Sequence, residues 1–158
     1  MIRRSRPDDS ARVIEIWREA VDATHDFLAP ADRSAIEVEV RAFLPLAPLW
    51  LAVDEEDIAL GFMLLDGSHM EALFIDPSQH RRGIGGGLLT HAQSMHPIMT
   101  TDVNEQNAQA TRFYLRHGFV EIGRSTQDTQ GRPYPLIHLR LSSHVPATER
   151  ATASVVRP

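Results

Sequence analysis

Residues 70–92 read MEALFIDPSQHRRGIGGGLLTHA. Met70, Ala72, Phe74 and Asp76 alternate with Glu71, Leu73 and Ile75, and the run is rich in large apolar residues, as a strand requires. Asp76-Pro77 ends it, because proline donates no ladder hydrogen bond and turns the residue before it away from helix. A polar, basic turn follows from Ser78 to Arg82. Gly83-Ile84-Gly85-Gly86-Gly87 then opens a helix whose apolar residues Ile84, Leu88, Ala92 and Met95 recur at helical spacing.

A strand, a glycine-rich turn and a helix start make a place for an anion. The first N–H groups of a helix have no partner inside it and carry the positive end of its dipole. Glycines allow close approach to that backbone and permit positive φ. Arg81 and Arg82 add charge beside it. The spacing excludes a P-loop, since the chain has no Gly-x-x-x-x-Gly-Lys-Ser/Thr string. It also excludes the dinucleotide fingerprint, because the third glycine falls on Leu88 or Thr90.

The chain has 158 residues, enough for one domain with a sizeable core. Its net charge of -5 argues against broad nucleic-acid binding. With no cysteine, disulfides, thiolate metal sites and a cysteine nucleophile are excluded. His91 and His96 are five apart and no His-Glu-x-x-His occurs, so no metal is expected. No apolar run approaches the roughly 20 residues needed to cross a bilayer, and MIRRSRPDDS lacks the apolar stretch of a signal peptide. The reading is a cytoplasmic protein with no membrane partner, monomeric or homodimeric.

Met1 to Ser5 is a first strand. Pro7-Asp8-Asp9-Ser10 starts a helix with Val13, Ile16, Trp17, Ala20 and Val21 on its apolar face. A second helix runs from Pro30 to about Leu44, with Ile36, Val40 and Phe43 or Leu44 on one side. Strands follow at 49–53 and 58–65, with Gly61 a possible bulge. The acidic turn Asp54 to Asp57 between them is either solvated or the rim of a basic acceptor's site. Asp66-Gly67 makes a hairpin into the central strand. Residues 97–103 form another strand, Asn104 to Asn107 cap a helix carrying Ala110, Phe113 and Tyr114, and Gly118 ends it. Strands at 119–123 and 136–141 close the domain, 1–141. Residues 142–158, poor in large apolar residues, read as a disordered tail.

Two motifs give these elements a family. His80-Arg81-Arg82-Gly83-Ile84-Gly85, after a strand ending in Asp-Pro, resembles motif A of the GNAT superfamily (general-control-related N-acetyltransferases), with histidine at a first position that the family fills with arginine or glutamine. Asn107-x-x-Ala110-x-x-Phe113-Tyr114-x-x-x-Gly118-Phe119 resembles its motif B. Strings such as Asp22-Ala23-Thr24-His25-Asp26-Phe27-Leu28, Ala47-Pro48-Leu49-Trp50 and Pro133-Tyr134-Pro135-Leu136 resemble the YjaB-type bacterial acetyltransferases. The resemblance implies an α/β (α+β) fold: a mixed, mostly antiparallel sheet flanked by helices, with two central strands splayed apart. It implies acetyl-CoA as cosubstrate and an amine as acceptor. By analogy, Leu73 and Ile75 offer backbone groups to the pantetheine arm, and the amides of Arg82, Gly83, Ile84, Gly85, Gly86 and Gly87 hold the pyrophosphate beside Arg81. Asn107 bonds to the arm, and Tyr114 faces the thioester sulfur.

A thioester is already activated, so the chemistry needs a neutral amine held against the carbonyl. A lysine amine with pKa near ~10.4 must lose a proton first. Glu71 on the central strand and His25 between the first two helices are candidate bases, with His69 behind them and ordered water as an alternative. Glu71 reads equally as a solvated strand carboxylate, and His25 as a surface or capping residue. Tyr114 is placed to protonate the departing thiolate, or else is a core aromatic. A backbone N–H near Phe74 would meet the oxyanion. Through the resemblance, the acceptor expected is a protein lysine. The alternatives are a small amine (polyamine, amino acid or aminoglycoside), a non-catalytic CoA-binding sensor, and acetylation of charged tRNA, against which the acidic charge counts.

Overall fold

The computed structural model describes residues 1–142. All but the first residue of the expected tail therefore lies outside the described residues. In chain order the elements are β1 (Ile2–Arg4), α1 (Ser10–Thr24), α2 (Pro30–Phe43), β2 (Trp50–Val53), β3 (Ala59–Asp66), β4 (His69–Ile75), α3 (Ile84–Met95), β5 (Met99–Asn104), α4 (Ala108–Arg116), β6 (Val120–Ser125) and β7 (Leu136–Leu141). The strands form one seven-stranded sheet in the order β1-β2-β3-β4-β5-β7-β6. Every neighbouring pair is antiparallel except β4 and β5, which run parallel.

Helices cover both faces, and each face has its own core. On one, Leu88, Leu89 and Ala92 of α3 and Tyr114 of α4 pack with Met63, Met70, Met99 and Leu139. On the other, the stripe Val13, Ile16, Trp17 and Val21 of α1 packs with Leu51, Phe62 and Leu64. That stripe is the expected apolar face, and all of it is buried. Helix α2 is different: none of its residues is fully buried, and only Ile36 and Val40 touch this core. Leu44 takes the buried place at its end while Phe43 is exposed.

The central strand departs from simple alternation. Leu64 pairs with Ala72 but Leu65 pairs with Met70, so Glu71 is an extra residue in a β-bulge. The bulge shifts the phase of the strand. Met70 faces the α3 core, while Ala72 and Phe74 face the α1 core. The expected single face of Met70, Ala72 and Phe74 is corrected by this one inserted residue. A second bulge lies one residue from the expected Gly61: Ala52 pairs with Gly61 and Val53 with Ala59, which makes Leu60 the extra residue.

Asp76 fixes the end of the central strand. Its Oδ1 accepts hydrogen bonds from the Ser78 amide and hydroxyl, both at 2.9 Å, and its Oδ2 accepts from Arg12 Nη2 at 2.5 Å. Burial works against its charge, but these donors outweigh it and hold the carboxyl below its ordinary range. The acidic turn is exposed, and one of its carboxylates is paired. Asp57 accepts from Arg3 at 2.7 Å and Arg6 at 2.9 Å, and so pins β1 to the β2–β3 turn.

Candidate active site

The site begins where the sheet opens. β4 and β5 pair only at His69–Thr100 and Met70–Thr101, and beyond that point they part. Thr101 Oγ1 donates to the Met70 carbonyl at 2.9 Å, which closes the last rung. The Asp76 amide donates to the Leu60 carbonyl of the β3 segment at 2.9 Å. The period of an antiparallel ladder then turns the N–H and C=O of Phe74 toward β3 and those of Leu73 and Ile75 toward the gap. An extended arm lying in that gap finds Leu73 and Ile75 as backbone partners. The Phe74 N–H itself serves the ladder, so of the amides near Phe74 those of Leu73 and Ile75 face the opening.

The glycine turn stands at the mouth of the gap on the α3 side. Arg81 (φ 68°) and Gly83 (φ 75°) are left-handed, and Gly83 is the N-cap of α3. The first helical bond joins the Gly87 amide to the Gly83 carbonyl at 2.9 Å. The amides of Ile84, Gly85 and Gly86 precede it and lack helical acceptors. A side-chain carbon added at Gly83 or Gly87 would meet no atom within 4 Å, so that side of the turn is open. Gly85 does a different job. A carbon there would come within 3.0 Å of Phe113, so its smallness lets α3 approach α4. Arg81, Arg82 and His80 are exposed around the turn, and the Gln109 side chain lies 3.4 Å from the His80 ring. The residues present fit a diphosphate: free amides, two cations and room.

Tyr114 is buried between Phe113 and Phe119, with ring centroids 5.3 and 5.2 Å away. Its hydroxyl meets that of Thr101 at the vertex of the gap. Burial pushes the phenol above its ordinary range, so it stays protonated at neutral pH. Asn107 caps α4, its Oδ1 accepting from the Ala110 amide at 3.1 Å. That leaves its NH₂ for another partner.

The opposite face carries side chains rather than bare backbone. The bulge presents Glu71, exposed, beside Ala72 and Phe74. A cavity of about 550 Å³ opens there. Trp17, Val40, Phe43, Leu64 and Phe74 are among its apolar walls, and Glu71 and Asp66 are its two carboxylates. Farther along this face the segment between α1 and α2 meets the loop before β7. The Ala29 amide donates to the Tyr134 hydroxyl at 3.0 Å, Tyr134 in turn donates to Asp32, and Phe27 lies 6.0 Å from the Tyr134 ring. His25 belongs to this roof. Its ring packs on Phe27 at 5.2 Å and its Nδ1 lies 2.7 Å from the Thr24 hydroxyl. Burial lowers its pKa to about 4, which makes it a weak proton acceptor.

The structure thus brings Leu73, Ile75, Glu71 and Tyr114 to the gap, sets residues 81–87 at its mouth and places His25 in the roof. The sequence reading overlooked Asp102. Its Oδ1 lies 2.5 Å from His138 Nδ1 and its Oδ2 3.3 Å from His69 Nε2. Thr100 and Asp102 alternate with buried Met99, Thr101 and Val103, a pattern that marks a polar strand face. No spacing announces a histidine 36 residues away. Among the described residues no group of three His, Cys, Asp or Glu side chains is arranged to hold a metal ion.

Residues 19–135 match the family model described as acetyltransferase (GNAT) domain. The chain is 54% identical over 138 residues to the peptidyl-lysine N-acetyltransferase YjaB of Salmonella typhimurium, covering 87% of this chain and 95% of that protein. It superposes on the solution structure of apo-form YjaB from Escherichia coli with TM-score 0.87 at 52% identity, covering 91% of this chain and 98% of that one. At 18% identity, the paia N-acetyltransferase of Thermoplasma acidophilum, solved in complex with coenzyme A, shares the fold with TM-score 0.70, covering 90% of this chain and 98% of that one. A parted pair of parallel strands, a left-handed glycine turn before α3 and a buried tyrosine at the vertex therefore sit in a chain that belongs to the GNAT family of N-acetyltransferases.

Proposed function

We propose that the protein transfers the acetyl group of acetyl-CoA to the side-chain amine of protein lysines by direct attack. One observation carries the choice of acceptor. The cavity beside the gap is largely apolar along its walls and carries two exposed carboxylates, Glu71 and Asp66, which suits a long methylene stem tipped by a cation. Glu71 both lines that cavity and follows Met70, the last residue paired to β5. The ammonium and the gap therefore share one residue. The name of the Salmonella relative, a peptidyl-lysine N-acetyltransferase, supports the same reading.

In this reading the pyrophosphate rests on the amides of Ile84, Gly85 and Gly86, flanked by Arg81 and Arg82. The pantetheine arm runs along Leu73 and Ile75, with the Asn107 NH₂ as a further donor. The amine loses a proton and its lone pair attacks the thioester carbonyl. The tetrahedral intermediate collapses with cleavage of the C–S bond, the leaving thiolate takes the proton of the Tyr114 hydroxyl, and the second proton lost from the nitrogen as the amide forms returns to the phenolate by way of water. The site of action is the cytoplasm.

A polyamine is the second reading, favoured by the two carboxylates in one cavity. A competition assay separates them. A lysine peptide and spermidine are offered together with acetyl-CoA, and both acetylated products are weighed by mass spectrometry. The account expects a higher kcat/KM for the peptide by at least tenfold; a preference for spermidine would replace the protein acceptor with the small one.

A further inference from the structure

Glu71 and His25 were the natural candidates to take the proton from the acceptor, and the structure favours neither. Glu71 is exposed on a bulge, and no partner among the described residues' hydrogen bonds aims it. His25 is a weak base in the roof. Across the gap, five side chains on four strands form a connected row. Thr100 Oγ1 lies 2.7 Å from His69 Nδ1, His69 Nε2 3.3 Å from Asp102 Oδ2, Asp102 Oδ1 2.5 Å from His138 Nδ1, and His138 Nε2 2.6 Å from Ser125 Oγ. Asp102 directly follows Thr101, the last β5 residue paired with β4. It therefore stands at the vertex, on the sheet face opposite Tyr114, with its side chain a quarter exposed.

The two contacts to Asp102 are unequal, and the inequality is informative. The 2.5 Å contact is a strong charge-assisted hydrogen bond, with His138 Nδ1–H donating to Oδ1. Ser125 then donates to His138 Nε2 and fixes the ring. The 3.3 Å contact is long for such a bond. In the tautomer in which His69 Nδ1–H donates to Thr100, the His69 Nε2 carries a lone pair that can take a proton from Oδ2. Oδ2 has the longer of the two histidine contacts and is the oxygen open to a donor from the gap.

We propose that Asp102 takes the proton of the acceptor ammonium and that His69 receives it next, with His138 as the residue that positions the carboxylate. This inference rests on the lysine reading above. The ammonium donates to Asp102 Oδ2; its N–H bond breaks and an Oδ2–H bond forms. The proton then moves to His69 Nε2, whose side chain is about one-third exposed, and leaves to water. The neutral amine keeps its electron pair for attack on the carbonyl. Glu71, across the gap, attracts the cation but does not deprotonate it.

The test uses the full-length chain with acetyl-CoA and a lysine peptide. Asp102→Asn keeps the shape of the side chain and removes the proton acceptor. It should lower kcat at least 30-fold, while calorimetric affinity for acetyl-CoA and KM for the peptide stay within threefold. His138→Leu should lower kcat five- to tenfold, and His138→Asn, whose amide can donate where Nδ1–H did, should recover most of that loss. A peptide whose lysine carries two fluorines on Cδ has a weakly basic amine, a large fraction of it already neutral at neutral pH. With it, the deficit of Asp102→Asn should shrink to threefold or less. An active wild type with Asp102→Asn at undiminished kcat overturns the assignment, as does a deficit that is the same for both peptides. A wild type that turns over spermidine but no lysine peptide overturns the acceptor reading instead, and the inference falls with it.

Discussion

The two faces of the sheet meet at one gap but are built from different materials. On the α3 face the site is mostly backbone: amides at a helix start, the strand edges of Leu73 and Ile75, and one buried phenol. On the α1 face it is side chains: Glu71 on its bulge, Asp102 between two histidines, an apolar-walled cavity, and farther along a loop more than 100 residues from its partner. Backbone recognition of an anion demands glycine at fixed local positions, so it writes itself into a short stretch of chain. Side-chain recognition draws on residues brought together only by folding. In the proposed mechanism the cosubstrate rests on the first kind of surface and the acceptor on the second.

The largest effect that would break this comparison is at the glycine turn. Gly83→Asp places a carboxylate at the N-cap, where it occupies the amides itself and repels a diphosphate. Acetyl-CoA affinity should fall by roughly 1,000-fold. Gly83→Asn tolerates the same left-handed backbone without the charge, and should cost far less. Equal losses in both variants would mean that backbone strain, rather than the anion cradle, governs this turn. Gly85 is a poorer place for such a test, because any side chain there also presses on Phe113.

The roof offers a pH signature. The folded pKa of His25 lies below its ordinary 6.5, at about 4. Its neutral burial therefore contributes fully above pH 6.5 and is lost as pH falls toward 4, because the unfolded chain takes up the proton first. The slope integrates to at most about 3 kcal/mol. Urea unfolding between pH 7 and 4 should show this loss, and His25→Asn should flatten it. An unchanged slope would return His25 to the list of accessible bases.

Two substitutions probe the faces separately. Tyr114→Phe should lower kcat on the order of 100-fold with acetyl-CoA affinity unchanged, as expected when a general acid is removed. Glu71→Gln should chiefly raise the peptide KM, by about tenfold or roughly 1.4 kcal/mol, when an attracting charge is lost near the cation. If Glu71→Gln lowers kcat instead, the two sides of the gap have exchanged roles.

Much of the fold was legible because its elements carry local signals. The α1 stripe, the Asp66-Gly67 hairpin, the left-handed Gly118 after α4 and the Asn107 cap all follow from residues close in sequence. The glycine turn was legible for the same reason. The bulge at Glu71 was not, since an extra residue in one strand shows only against its partner's register, and it inverted the predicted face of Met70. The partners of Asp57 in the acidic turn were not legible, because Arg3 on β1 and Arg6 just after it lie more than 50 residues away. Asp102 escaped notice likewise: it looks like one polar residue on an alternating strand until β7 is laid beside it.

The most direct test of the central claim is calorimetric titration of the wild-type protein with acetyl-CoA, followed by addition of a lysine peptide and measurement of released thiol. The account predicts micromolar binding and stoichiometric appearance of CoA thiol and acetyl-lysine. Absence of binding would contradict the assignment of the gap and its glycine turn, and binding without thiol release would contradict the transfer to lysine.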